Sequence, residues 1–292
     1  MLALIAGTGN LPPALLARLP QRPLVCALAG FTPQITPDVT FRIEHLGSFL
    51  ADLRARGVTR ICMAGAVKRP AIDPAQIDAL TAPLVADLQA AMGKGDDGTL
   101  RGVIALLEKA GFEITAAHDL APDLLPDAGV LAGALSPQIR RDAVLGEQTI
   151  AAMGRSDTGQ ACLVRQSRVI AREDAQGTDA MIARFARDDD PLWGAVDAVG
   201  ELLGSAAEWL SGADGAPVDA RGAILFKAPK PDQDRRADLP VIGPDTARGA
   251  VAAGLAGIVV EAGGVIVLDQ PQVIATLSRA GACLWVRPKG GA

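Results

Sequence analysis

Short apolar runs bounded by glycine alternate, through the first third of the chain, with stretches whose apolar residues fall three and four apart. Residues 2–6, 23–28, the weaker 40–45 and 60–67 predict strands, while 11–19 and 48–56 predict helices. Strand and helix in alternation predict a parallel sheet covered on both faces, and so an α/β fold. Two further helical runs, 76–92 and 99–109, lead to a strand at 112–116.

After Pro122, Pro126, Gly129 and Gly133 the pattern changes. A helix is predicted over 137–154, and GQACLVRQSRVIARED then reads as two strands joined at Gln166 and Ser167. The expected boundary lies near residue 133, dividing the chain into a domain over 1–132 and a second α/β domain over 133–292. The second half continues with a helix at 178–187, an apolar-striped section at 193–209 and a strand at 222–226. It ends in an α/β pattern at 245–254, 257–261, 265–268, 271–280 and 283–286.

Length and composition narrow the function classes. A chain of 292 residues suits two domains, and 49% hydrophobic with 21% charged residues excludes disorder over most of it. The net charge is −5 and no Lys/Arg-rich run carries interleaved aromatics, which argues against a nucleic-acid partner. Cys26, Cys62, Cys162 and Cys283 form no CxxC pair and sit in apolar runs, so buried thiols in a reducing cytoplasm are expected. The start, MLALIAGTGNLPP, has no basic region and breaks at Gly7, which reads as a first strand and not a signal peptide. No window supplies the roughly 18 uncharged apolar residues of a membrane span, so work at a membrane would be done from its surface.

Several stretches carry candidate chemistry. In LIAGTGNLP, residues 4–12, a strand runs into a turn with Gly7, Gly9 and Asn10 at a helix start, a tight turn or a phosphate contact. Pro12 stands where a dinucleotide fingerprint has its third glycine and no acid follows the second strand, so NAD binding is unsupported. GKGDDG, residues 93–98, places Lys94, Asp96 and Asp97 in a glycine-flanked break between helices: a polar loop, or a lysine for phosphate with carboxylates for a hydroxyl or Mg²⁺. QGTDA offers Gln176, Gly177, Thr178 and Asp179, where capping by Thr178 with Asp179 in the first turn explains both residues. His45 and His118 lie in apolar patterns without a second ligand at metal spacing and read as structural.

The densest candidate is KAPKPDQDRRADLP, residues 227–240. Repeated proline forbids a helical solvated face, and an extended segment puts Asp232, Asp234, Arg236 and Asp238 on one side. Acids alternating with bases can hold a metal together with a phosphate. Hydrolysis of a phosphoric anhydride needs charge neutralised on the non-bridging oxygens and an aligned water, and carboxylates with Mg²⁺ backed by lysine and arginine meet both needs.

Taken in order, GTGNLP, AGAVKRP, GKGDDG, GRSDTGQ, QGTDA, KAPKPDQDRRADLPVIG and GLAGIVVEAGGVIVLD resemble the LpxI-type UDP-2,3-diacylglucosamine pyrophosphatases. The resemblance covers nearly the whole chain. It implies a cytoplasmic enzyme of lipid A biosynthesis that hydrolyses UDP-2,3-diacylglucosamine to UMP and 2,3-diacylglucosamine 1-phosphate with Mg²⁺. It further implies a Rossmann-like N-terminal domain, an α/β C-terminal domain, substrate between them, a homodimer, and at most peripheral contact with the inner membrane surface. Asp238 matches the family's essential aspartate, and Lys227, Lys230, Gln233, Asp234 and Arg236 match the rest of the motif; from the acids of the segment, Asp234 and Asp238 are the expected metal ligands. Two departures stand out: Ala66 replaces a polar residue of AGAVKRP, and the section 188–219 is longer than the family pattern. A nucleotide-sugar or acylated-sugar binding protein without turnover is the alternative; it explains the glycine turns but not the packed acids.

Overall fold

The apolar runs of the first third become β1 (Leu2–Ala6), β2 (Leu24–Leu28), β3 (Val39–Phe41), β4 (Arg60–Ala64) and β5 (Glu113–Ile114). The structure, a computed structural model, describes residues 1–67, 70–92, 95–155, 158–186, 219–231 and 233–291. The five strands pair in parallel in the order β3-β2-β1-β4-β5, the order of doubly wound nucleotide-binding sheets. Around them lie α1 (Leu11–Leu16), α2 (Leu46–Ala55), α3 (Val85–Met92), α4 (Asp96–Lys109) and α5 (Ala117–Leu120). Phe49, Leu50 and Leu53 of α2 and Ile104 and Leu107 of α4 share a core with Ala3, Cys26, Ile61 and Ile114 of the sheet.

The helix expected from residue 76 begins only at Val85. Residues Pro74–Gln76 and Ala82–Leu84 form single 3₁₀ turns, and the Asp78 carboxylate accepts the Thr81 N–H at 2.7 Å, a local bond that competes with helix. Conversely, α4 begins at Asp96, so Asp97 belongs to its first turn and not to a break, where the helix dipole favours its charge.

The second unit contains β6 (Gly129–Ala132), α6 (Pro137–Arg155), β7 (Ala161–Arg165), β8 (Arg168–Arg172), α7 (Thr178–Ala183) and β9 (Ile224–Lys227). After the short β10 (Val241–Ile242) come α8 (Pro244–Ala252), β11 (Gly257–Glu261), β12 (Ile266–Val267), α9 (Gln270–Arg279) and β13 (Cys283–Arg287). β10 and β12 form a two-stranded ribbon, and the main sheet runs β6-β13-β11-β9-β7-β8. Its middle strands β13, β11 and β9 are parallel, and β6 and β7 flank them antiparallel. Alternation along these strands sorts the core. Val164, Phe226, Val259 and Trp285 share a cluster with Ile139, Ala143 and Ile150 of α6, while Leu163, Leu225, Ile258 and Leu284 share one with Ile182, Ala247 and Val273 of α7, α8 and α9.

The chain divides into Met1–Leu125 with Asp232–Val241, and Pro126–Pro231 with Ile242–Ala292. The division thus precedes β6, whereas the boundary expected after residue 132 falls at that strand's far end. Gly129 and Gly133, read as breakers, bracket an edge strand, and Gly133 turns at φ 62° where a Cβ would lie 2.7 Å from the Ala282 carbonyl oxygen. No composition shift marks the return of the segment Asp232–Val241 to the first unit.

The hairpin at Gln166 and Ser167 forms as expected, with both residues in the left-handed region at φ 49° and 60°. Non-glycine residues there are strained, and the buried Asp142 carboxylate offsets this by accepting the N–H groups of Gln166 at 3.1 Å and Ser167 at 2.6 Å. The four cysteines are buried free thiols; burial pushes Cys26, Cys62 and Cys162 up to about 12 and Cys283 to about 11. No helix among the described residues is long and apolar enough to cross a membrane.

Helix α6 meets the sheet so closely that a Cβ on Gly146 would lie 2.5 Å from Phe226 Cγ. Gly146→Ala should therefore destabilise the protein by ~1–3 kcal/mol through overpacking. The check is a lowered denaturant midpoint at unchanged m-value; an unchanged midpoint would show that the contact yields freely.

Candidate functional site

β9 is apolar from Ile224 to Phe226 and ends in Lys227, which is only 5% exposed. A buried ammonium requires compensation. Lys227 Nζ donates to Thr178 Oγ1 at 2.7 Å, and Thr178 Oγ1 donates to Glu173 Oε1 at 2.5 Å. The other oxygen of Glu173 accepts the Gln160 N–H at 2.7 Å, and the Gln160 carbonyl accepts the Ala228 N–H at 3.1 Å. Thr178 therefore does not cap α7: Gly177 stands at the N-cap with φ 91°, and the Thr178 hydroxyl is committed to Lys227 and Glu173. Asp179 accepts from Thr246 Oγ1 at 2.8 Å, and Gln176 Oε1 accepts from Arg184 at 2.9 Å, so of QGTDA Thr178 is the side chain bonded to Lys227.

The run from Lys227 to Pro231 is held by two glycines. A Cβ on Gly154 would lie 2.5 Å from Pro231 Cδ and 3.3 Å from Lys230 Cβ; one on Gly264 would lie 2.8 Å from Pro229 Cδ. Glycine in GRSDTGQ and in VEAGG thus lets the proline-fixed chain lie against α6 and the turn after β11. Beside Lys227, the parallel strands β11 and β13 end in the paired, buried Glu261 and Arg287, the latter bonded to Glu147 at 2.7 Å. Open α/β sheets bind ligands at such carboxyl strand ends.

Residues 233–241 belong to the first unit and do not continue extended as expected. The Asp234 carbonyl accepts the N–H groups of Ala237 at 3.3 Å and Asp238 at 3.1 Å, closing one turn, so Asp234, Arg236 and Asp238 do not line one side of an extended chain. Proline fixes the chain only before this turn. Inside it the buried Gln233 donates Nε2 to Asp238 Oδ2 at 2.6 Å, which orients that carboxylate. Asp234 takes Arg236 Nε at 3.0 Å and Nη2 at 2.7 Å, and Arg236 Nη1 reaches Glu108 of α4 at 2.5 Å. All three guanidinium nitrogens thus meet carboxylates. This geometry gives Arg236 the task of fastening the turn to α4, where a phosphate contact was expected.

At the carboxyl end of β1, Thr8 and Ala66 exchange backbone hydrogen bonds of 2.9 Å each, and the Thr8 hydroxyl donates to the Ala66 carbonyl at 3.1 Å. Gly7 has no room for a Cβ, which would lie 2.5 Å from that carbonyl oxygen, and Gly9 turns at φ 92°. Loop closure accounts for both glycines, while Asn10 is exposed. Asp97 lies in the first turn of α4; Lys94, the Asp96 side chain, Asp232, the Lys68-Arg69 pair of AGAVKRP and the apolar stripe of 193–209 lie outside the described residues.

The described residues contain no cluster of three or more histidine, cysteine, aspartate or glutamate side chains arranged to hold a metal ion. Mg²⁺ is usually held by one or two carboxylates completed by substrate phosphates. Asp238, oriented by Gln233, fits that use; Asp234 has both oxygens on Arg236. Glu173, Glu261 and Glu108 were not singled out from sequence, although an isolated acid ending the apolar run GIVVE was a readable signal.

Arg236 holds the Asp234 carboxyl below the ordinary aspartate range, against the opposing effect of partial burial. A depressed carboxyl stabilises the fold in full above its unfolded value of ~3.9 and ceases to do so as pH falls through the folded value. Asp234→Asn should therefore melt below wild type at neutral pH, the gap closing as pH descends below ~3.9. Thermal melts across that range decide it, and a gap that widens in acid would contradict the pairing.

Comparison with known proteins agrees with this organisation. The model of the LpxI N-terminal domain matches residues 1–124, and that of the LpxI C-terminal domain matches residues 127–285. A curated relative, the UDP-2,3-diacylglucosamine pyrophosphatase LpxI of Caulobacter vibrioides, is 35% identical over 288 residues, covering 96% of this chain and 95% of the relative. With both domain models matched in order and that relative aligned nearly end to end, the chain belongs to the LpxI family.

Proposed function

We propose that this protein hydrolyses the diphosphate of UDP-2,3-diacylglucosamine, releasing UMP and 2,3-diacylglucosamine 1-phosphate. The carrying observation is the Gln233–Asp238 bond at 2.6 Å, which orients a carboxylate in one hydrogen-bonded turn on the same short run of sequence as Lys227 and Lys230. A carboxylate so oriented suits the one demand that binding alone does not make, alignment and deprotonation of water. The reaction forms a bond between the water oxygen and phosphorus and breaks the bridging P–O bond; Asp238 takes the proton that the water loses. Lys227 and Lys230 supply fixed positive charge for the non-bridging oxygens. Asp234, Arg236 and Glu108 act on the reaction only by holding the turn.

Asp238 with the diphosphate oxygens would hold Mg²⁺, which when bound draws charge from the phosphoryl oxygens. Excess EDTA should then suppress turnover and added Mg²⁺ restore it, whereas full activity in EDTA would remove the metal from the proposal. The assembly proposed is a homodimer acting from the cytoplasmic side, touching the inner membrane peripherally where the acylated substrate resides.

Asp238→Ala should lower kcat on the order of a hundredfold or more, the scale of general-base effects, while substrate still binds. Lys230→Ala should raise KM instead. Measuring kcat, KM and a thermal melt for both separates the roles: near-normal turnover by folded Asp238→Ala would defeat the catalytic assignment.

A further inference from the structure

Glu173 closes the hairpin stretch GQACLVRQSRVIARED, and three motifs meet around it, Gln160 and Thr178 directly and Lys227 through Thr178. Gln160 belongs to GRSDTGQ, Thr178 to QGTDA and Lys227 to the charged segment. Glu173 is 8% exposed, and its two carboxylate oxygens accept from Thr178 Oγ1 and Gln160 N. Resting on the reading of the preceding subsection, we infer that Glu173 is a positioning residue of the pyrophosphatase: by holding the Thr178 hydroxyl proton it directs that hydroxyl's lone pairs at Lys227, and so fixes where the ammonium stands.

The argument is one of direction. A threonine hydroxyl has a single proton to give and lone pairs to receive. With the proton on Glu173, Thr178 Oγ1 faces the Lys227 ammonium as an acceptor, at 2.7 Å. A glutamate required only to balance the lysine charge could meet it directly; interposing a hydroxyl converts a flexible ion pair into a bond of defined bearing. Glu173 cannot turn away, because the Gln160 N–H holds its second oxygen and the Gln160 carbonyl holds Ala228, the neighbour of Lys227. In Glu173→Gln one of the two donors would meet an amide NH₂ in place of an oxygen, and if that donor is Thr178 its proton is driven toward a lysine that also donates.

The test compares Glu173→Gln, Glu173→Asp, Thr178→Val and the combined Glu173→Gln/Thr178→Val. Glu173→Gln should raise KM for UDP-2,3-diacylglucosamine roughly tenfold or more with kcat little changed, the scale seen when a residue orienting a directly acting group is lost. The double variant should be no worse than the poorer single one, since both act through the same ammonium. Glu173→Asp, which keeps the charge, should lie closer to wild type than Glu173→Gln and serves as the companion should Gln impair folding. Effects that multiply in the double variant, or an unchanged KM in folded Glu173→Gln, would overturn the inference. A readout independent of turnover is the ¹H–¹⁵N signal of the Lys227 ammonium, identified by its loss in Lys227→Met: it should shift in both Glu173→Gln and Thr178→Val, and an unmoved signal overturns the relay. Should wild type not cleave UDP-2,3-diacylglucosamine, the substrate reading falls, while the ammonium signal still decides whether Glu173 orients Lys227.

Discussion

An ammonium buried at the end of an apolar strand is the constraint from which the second unit's chemistry follows. β9 must be apolar because helices cover both faces of its sheet, yet it ends in Lys227. Such a charge is tolerated only where hydrogen bonds and an opposite charge replace water. Thr178 and Glu173 supply both, and in doing so they tie together the start of α7, the end of β8 and the end of β9. Compensation and preorganisation are here the same bonds, which is why a group that is costly to bury can serve as a rigid source of positive charge.

The charged segment that follows divides its residues by task. Pro229 and Pro231 keep the first part extended against glycines that have no room for side chains. Past them the chain closes one turn, with Arg236 locking Asp234 and Glu108 together and Gln233 orienting Asp238. Like-looking charges thus differ in what holds them: Arg236 is bonded to the carboxylates of Asp234 and Glu108, while Asp238 accepts from the amide of Gln233.

Much of the fold was legible because sheets covered on both faces demand continuous apolar strands: β1, β11 and α6 fall where periodicity places them, and Gln166 and Ser167 form the turn of the hairpin. The failures have physical causes. β6 is a short edge strand flanked by glycines, so it reads as a break. A local bond from Asp78 to Thr81 overrides the helical pattern of 76–84. In the candidate site, Lys227, Gln233 and Asp238 stand out in the motif, but the bonds that hold them do not. Parity assumed an extended chain, and the bond from Asp238 N to the Asp234 carbonyl removes that assumption. Glu108 reaches Arg236 across 128 residues, and Glu173 meets Thr178 and Gln160 only because the hairpin folds back, so no local pattern announces these contacts.

These arrangements answer to the claim that the charged segment turns a bound nucleotide sugar over and does not merely hold it. The direct test is a single turnover: protein in molar excess over UDP-2,3-diacylglucosamine, with Mg²⁺, quenched and assayed for UMP. UMP equal to the substrate supplied is the predicted result. Recovery of intact UDP-2,3-diacylglucosamine from its complex with the protein would contradict it.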